Sequence, residues 1–509
     1  MKRRLIILSS LATLAVLGAG SGYLAWRKWW RESPGDARLD ELAQQAASQP
    51  LVQPSAPAAR LLGWNINWVE QSRLRRDLPK VWERFKASGA NTARDSQEWT
   101  WVQRGRNSPF TPDKHVKAAE DLIHNDYKAA GVQSLRLLCY GHPAFWSGEE
   151  MPSPDQFARF AKGFVAYAEH VMGAQPDATH FEVWNEWNHT LRFKGNEEIR
   201  RGPLYARLFV QAASAIKRKR PDAQVITQGL AVSKESGGLP DNEFLVRTLN
   251  HPGVLQLADG IGLHPYYFKL NDSPERLMNY LAFTRQQLLR EVKGYKQRTL
   301  PFFITETGFP TAEKGSLSIG SRWGYGIDEN LQAAFLARLA ILCMSQPHVQ
   351  GLLFHNFVDS GSDKANIEHN YGVLRSDLSA KLAYARMAAL VPVLAKASEF
   401  EWIAGKTTEA NSVKEAFDAE VALVYAVRFQ AEPGRWCTAI WATSGKPKTL
   451  RLKATPDEGE LQACDKQYGL SPRSIKPAAG GVFELQLDTE PVYVMQAASG
   501  KPAALQVVG

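Results

Sequence analysis

The chain has 509 residues, 44% of them hydrophobic, which is ample for a large core and too long for one average domain. Its net charge of +9 would suit nucleic acid, but six cations (Lys2, Arg3, Arg4, Arg27, Lys28 and Arg31) lie in the first 31 residues, which hold no acid, and the remainder carries +3. That near-balance, with the basic run 217–220 read as the solvated last turn of a helix, argues against a nucleic-acid partner. Four cysteines are too few for a disulfide framework.

The first element is a 21-residue stretch without charge, Leu5 to Ala25. As a helix it spans about 31 Å, enough for a bilayer core. Tyr23, Trp26, Trp29 and Trp30 cluster beside Arg27, Lys28 and Arg31, as interfacial anchors do. Residues 1–31 are therefore expected to anchor the chain to a membrane, with a cleaved signal peptide as the alternative. No cysteine precedes Cys139, so a lipoprotein anchor is excluded. Residues 32–59 are rich in Ala, Gln, Ser and Pro and are expected to form a disordered linker.

From Leu61 onward, short β-type runs alternate with amphipathic stretches. Strands are expected at 61–67, 90–94, 133–140, 180–186, 224–229, 260–266, 301–306 and 351–356. Helices are expected at 155–172, 204–219, 275–294, 329–346 and about 380–395. Eight strands, each followed by a helical or partly helical connection, predict an α/β fold: a (β/α)8 TIM barrel over 60–397. Residues 398–509 change to short alternating runs such as "ALVYAVRF" and "GVFELQLD", which predict a small antiparallel β-sandwich. Cys437 and Cys464 both fall there, and whether they pair is left open.

Residues at the C-terminal ends of barrel strands face an active site. Glu186, in "FEVWNEWNHT", ends the fourth strand, and Glu306 ends the seventh. Asn65, Asn67, Arg94, His142, Asn185, His264, Tyr266 and Asn356 occupy other strand ends. Trp64, Trp68, Trp99, Trp101, Trp146, Trp184, Trp187 and Trp323 crowd the same region, and aromatic faces stack on sugar rings. Two carboxyl groups among such rings suit glycosidic cleavage, in which one is protonated to serve the leaving oxygen and the other is ionised to attack. An acid between Trp184 and Trp187 is expected to be desolvated, and a carboxylate near Arg94 to stay charged. Asp359 and Asp363 follow the eighth strand as candidates for holding a charged or amino sugar. No cysteine–histidine cluster has metal-ligand spacing and no phosphate loop occurs, so neither metal nor cofactor is expected.

Several of these motifs resemble the retaining clan A glycoside hydrolases. "VWNE" at the fourth strand and "FFITETGFP" at the seventh lie 120 residues apart, which suits three βα units. "ARDSQEW" at 93–99 resembles the strand-two arginine region, "HPYY" at 264–267 the strand-six His-x-Tyr, and "YGVLRSDLSAKLAYARM" at 371–387 the run into the last helix. The resemblance covers roughly residues 60–395 and is nearest to glycoside hydrolase family 39. It implies Glu186 as acid/base and Glu306 as nucleophile. It also implies substrate or supporting contacts from Arg94, Asn185, His264, Tyr266, His142, Trp146, Trp187 and Trp323.

The bacterial branch of that family includes membrane-anchored enzymes that trim exopolysaccharide. The implied partners are a polysaccharide, the membrane and the synthesis or export machinery. The implied location is the inner membrane with the barrel in the periplasm. Trp187 stands where many relatives have proline, and "FHNFVDS" replaces a common strand-eight tryptophan, so neither a xylosidase nor an iduronidase label transfers. The alternative function is a polysaccharide-binding or assembly scaffold that no longer turns over.

Overall fold

The computed structural model describes residues 34–54, 59–105, 107–140, 154–189, 202–233, 237–267, 270, 272–313, 326–444, 448–453, 461–476, 481–497 and 505–507. The expected anchor lies outside the described residues; among them no helix is long and apolar enough to cross a membrane.

Eight parallel strands make the central ring: β1 (Leu61–Asn65), β2 (Thr92–Ser96), β3 (Gln133–Leu138), β4 (His180–Val183), β5 (Gln224–Ile226), β6 (Ile261–Leu263), β7 (Phe302–Thr307) and β8 (Val349–Phe354). Neighbours in sequence pair side by side, and β1 also pairs with β8. Between β5 and β6 the ladder thins to single parallel bridges, Ile226 to Gly260 and Leu230 to Leu263, so the barrel is nearly closed. Strands β1, β6 and β8 read as largely apolar runs because both of their faces are covered, whereas β2, β3 and β4 bury the charged Arg94, Asp95, Arg136 and Glu182. Leu61, Leu135, Ile226 and Phe303, from the odd-numbered strands, share one buried cluster with Leu353, the layered filling of a packed barrel.

Helices α2 (Leu78–Ala87), α3 (Lys114–Leu122), α4 (Pro154–Ala174), α5 (Pro203–Lys219), α6 (Asn242–Leu249), α7 (Arg276–Glu291), α8 (Glu329–Met344) and α9 (Leu382–Leu394) form the outer layer. Aspartates start several of them. Asp77, Asp113, Asp241 and Asp328 each accept from a backbone N–H of the first turn, which satisfies donors the helix leaves unpaired. Helix α8 is buried on every side from Gln332 to Met344. A helix with no polar face needs cover all round, and α9, strand β8 and the C-terminal domain share in supplying it. Trp441 of that domain donates from Nε1 to Oε1 of Glu275 at 2.8 Å. Arg338 of α8 grips the same carboxylate through Nε (2.7 Å) and Nη2 (2.5 Å).

The C-terminal region is built from two antiparallel sheets. The larger contains β9 (Ser398–Ala404), β10 (Val424–Glu432), β11 (Arg435–Ala442), β13 (Leu461–Asp465), β14 (Arg473–Ile475) and β16 (Val492–Ala497), in the order β9-β10-β11-β16-β13-β14. The smaller contains β12 (Lys448–Lys453), β15 (Val482–Leu487) and β17 (Gln506–Val507). Ile440, Val494, Leu450, Leu452, Phe483 and Leu485 from the two sheets share one apolar cluster. Cys437 lies opposite Met495 and Cys464 opposite Tyr493, so β16 runs between the two cysteines. Strands two places apart are separated by roughly 9.5 Å, beyond disulfide reach, and both thiols are free.

The expectation of a disordered linker is corrected over much of its length. Helix α1 (Pro34–Ala47) docks with Leu39, Ala43 and Ala46 buried. Their 4,3 spacing makes one helical stripe, which low bulk hydrophobicity concealed. Asp40 pairs with Arg207 at 3.0 Å, and Gln53 donates to the Gln297 carbonyl at 2.7 Å, so the segment is tied to the barrel at both ends.

Candidate active site

Strand β4 ends in an irregular step. Trp184 (φ 76°) and Glu186 (φ 51°) are both left-handed, with Asn185 bridged to Gly229 between them. Such backbone is costly for residues with a Cβ, and it persists where the surroundings over-determine it. The step sends both tryptophan rings into the core. Trp184 packs on Phe160 (5.9 Å) and Phe164 (5.6 Å), and Trp187 on Trp184 (4.9 Å) and Tyr205 (5.8 Å). Glu186 is left facing the cavity with its side chain 25% exposed.

The structure brings together Arg94, Asn185, Glu186, His264, Tyr266 and Glu306. The Arg94 guanidinium donates from Nε to Glu182 Oε2 (2.6 Å), from Nη1 to Asn65 Oδ1 (2.6 Å) and Glu306 Oε2 (3.1 Å), and from Nη2 to Asn185 Oδ1 (2.8 Å). Tyr266 donates its hydroxyl to Glu306 Oε1 at 3.2 Å. Nδ1 of His264 lies 2.8 Å from Glu186 Oε1 and 4.0 Å from Glu306 Oε2, and Nδ1 of His355 lies 3.9 Å from Glu306 Oε1.

Burial by itself would raise the pKa of Glu306. His264, His355, Arg94 and the Tyr266 hydrogen bond outweigh it and lower the value to about 2. Burial likewise opposes charge on His264, but Glu306 and Glu186 win and its pKa rises. Glu306 is thus held ionised, yet its side chain remains 18% exposed to the cavity.

One carboxylate oxygen from each glutamate and a ring nitrogen of His264 lie within 4.8 Å of one another. A divalent ion also uses such spacing, but Arg94 already places a positive charge 3.1 Å from Glu306 and 3.5 Å from His264. The trio is better arranged for moving protons and attacking carbon than for holding a cation. The cavity that Glu186 and Glu306 line is about 300 Å³, with Asn65, Asn67, Glu70, Glu98, His355 and Glu368 around it.

Not every candidate lies here. His142, Trp146 and Trp323 fall outside the described residues. Trp187 is fully buried, as are Trp64, Trp68 and Trp99, so the expected aromatic rim is in these cases core. Asp359 is buried against the Lys381 ammonium at 2.8 Å and holds the loop after β8, so it is not a sugar contact. Asp363 caps the backbone of Ala365 at 2.9 Å.

Sequence reasoning passed over Glu182, Thr305, Tyr140, His355 and Glu368. The signal for Glu182 was present: a carboxylate inside a strand buried on both faces must have a partner. No comparable signal marked Glu368, which sits on a short turn, Ile367–His369.

Comparison with known proteins finds a match only in three dimensions. No family model matches the sequence, and no curated protein matches it. Among solved structures the chain is similar to a family 39 glycoside hydrolase from Bacteroides cellulosilyticus. That similarity has a TM-score of 0.60 and 20% identity, covering 82% of this chain and 78% of the other. It is also similar to a family 39 β-xylosidase from Caulobacter crescentus (TM-score 0.52, 15% identity, 88% and 98% covered). A family 51 α-L-arabinofuranosidase from Bifidobacterium longum is a third likeness (TM-score 0.55, 14% identity, 88% and 98% covered). At these identities the likeness establishes a shared fold. Family 39, which the sequence motifs resemble, is represented among the structures that share it.

Proposed function

We propose that the chain is a retaining glycoside hydrolase, with Glu306 attacking the anomeric carbon and Glu186 acting first as acid and then as base. The observation that carries this reading is the approach of the two carboxylates to within 4.8 Å across one cavity. Retaining enzymes place their carboxyl groups about 5–5.5 Å apart, whereas inverting ones leave about 6.5–9.5 Å for a water. Arg94, His264 and Tyr266 keep the attacking carboxylate charged, and a charged, partly open carboxylate is what nucleophilic attack requires. The shared fold with family 39 enzymes supports the same chemistry.

The substrate we propose is a bacterial exopolysaccharide cut internally during synthesis or export. The enzyme is held in the inner membrane by residues 1–31, with its barrel in the periplasm beside the synthesis or export machinery. Support comes from the charge-free stretch Leu5 to Ala25 with its aromatic and basic flank, and from the resemblance to the anchored branch of family 39.

The test is release of reducing ends from a panel of bacterial polysaccharides, with the anomer of the first product read by proton NMR. Release with retained configuration, abolished in Glu306→Gln, is expected. Inversion overturns the mechanism. No release by the wild-type protein from any polymer overturns the enzyme in favour of a binding scaffold.

A further inference from the structure

The His264 imidazole is fully buried, and its two nitrogens face different carboxylates. Which nitrogen carries the proton follows from counting donors. Glu182, ion-paired with Arg94 through Oε2, can only accept. Its Oε1 takes the hydroxyl proton of Thr305 at 2.8 Å. Thr305 has one such proton, so towards His264 Nε2, at 3.1 Å, its Oγ1 can only accept. Nε2 therefore bears hydrogen. The remaining contact at Nε2, Arg94 Nη2 at 3.5 Å, is the longest of the set, and that nitrogen already donates to Asn185 at 2.8 Å. Gly229 closes the ring's other side. A Cβ there would lie 2.0 Å from Nε2, so the imidazole has no room to turn over.

From this polarity we infer that Glu182 and Thr305 are positioning residues for the acid/base: they fix His264 with Nε2 protonated, so that Nδ1 is the nitrogen that exchanges a proton with Glu186. The inference rests on Glu186 being the acid/base. Glu186 and His264 share one proton across 2.8 Å: on Nδ1 it makes the imidazolium that helps hold Glu306 ionised, and when it moves to Glu186 the bare Nδ1 accepts from it until a glycosidic oxygen takes the place of Nδ1. Glu186 is then a carboxylate, and the water of the second step returns the proton. The charged or titratable groups facing His264 are Glu186, Glu182 at 3.8 Å, Glu306 at 4.0 Å and Arg94; Gly229 of the β5 edge presents none. His355 acts on Glu306, and Glu368 faces both Glu306 and Glu186.

The experiment is nitrogen NMR of the full chain with labelled imidazoles, followed as pH rises until His264 is neutral. Wild type and Thr305→Ser are expected to keep the proton on Nε2. Thr305→Val removes the acceptor at similar volume and is expected to move the proton wholly or partly to Nδ1. A proton on Nδ1 in the wild type overturns the inference, as does an unchanged tautomer in Thr305→Val. If that variant does not fold, the wild-type spectrum decides alone. None of these readouts depends on turnover, so they fail separately from the proposed activity.

On a substrate that is cut, an Nδ1–H aimed at Glu186 favours its carboxylate. The alkaline limb of kcat/KM should therefore fall by about half to one pH unit in Thr305→Val, with Thr305→Ser restoring it. A uniform loss at all pH values, with no movement of the limb, overturns the inference.

Discussion

Two buried arginine–glutamate pairs in this molecule differ in what they leave free. Between the barrel and the C-terminal domain, Glu275 accepts from Arg338 twice, from Trp441 and from Ser273, and the two charged side chains are wholly enclosed. Every lone pair has a use, and the pair ties structure to structure. At the strand ends, Arg94 spreads over Glu182, Asn65, Asn185 and Glu306. With Thr305 it occupies both oxygens of Glu182, and it leaves Glu306 partly open to the cavity. Both carboxylates are held below their usual range despite burial, Glu275 chiefly by Arg338 and Glu306 by two histidines and Arg94. Stabilised charge alone does not mark a catalytic group; stabilised charge with an accessible oxygen does.

The comparison breaks most sharply under substitution. Glu306→Gln should lower hydrolysis about 10⁴-fold or more while the protein still unfolds as one cooperative species, by calorimetry. Glu275→Ala should act on stability instead. Breaking a buried pair by removing one partner costs about 3–5 kcal/mol, visible as a lower denaturant midpoint, while the turnover of the folded fraction stays near wild type. If Glu275→Ala instead abolished turnover at unchanged stability, the contrast between the two pairs would be wrong.

Gly229→Ala comes next. Its Cβ would meet the His264 ring at 2.0 Å, and a displaced imidazole should lower kcat/KM about 100-fold while unfolding is affected by about 1–3 kcal/mol. The smallest expected effect is in pH. Glu306 falls from a usual 4.5 to about 2, so it favours folding above its unfolded pKa, and that contribution fades as pH drops through about 2. An acid limb of kcat/KM set by Glu306 should therefore not appear near pH 4, and finding one there would mean the cations around it are misplaced.

The barrel was legible because its strands announce themselves twice, as apolar runs and by recurrence between amphipathic helices. That Glu186 and Glu306 would face one cavity was legible because both stand at C-terminal ends of barrel strands. The tryptophans misled for a physical reason. Trp184 and Trp187 flank Glu186 in the text, but alternating left-handed backbone turns their rings inward. That conformation is set by contacts across the barrel, which no local pattern contains. His355 and Glu368 were missed for a related reason, since they reach the cavity from β8 and the loop after it, and their role depends on where that loop folds back.

The docked helix α1 changes how the proposed anchored enzyme would work. Its helical span begins at Pro34, three positions after Arg31, and the segment it opens stays fastened to the barrel as far as Gln53. What composition suggested was a free leash is, from Pro34 to Gln53, packed on the barrel. If residues 1–31 hold the enzyme in a membrane as proposed, docking of 34–53 shortens the tether, and the barrel mouth would reach a smaller volume over the lipid.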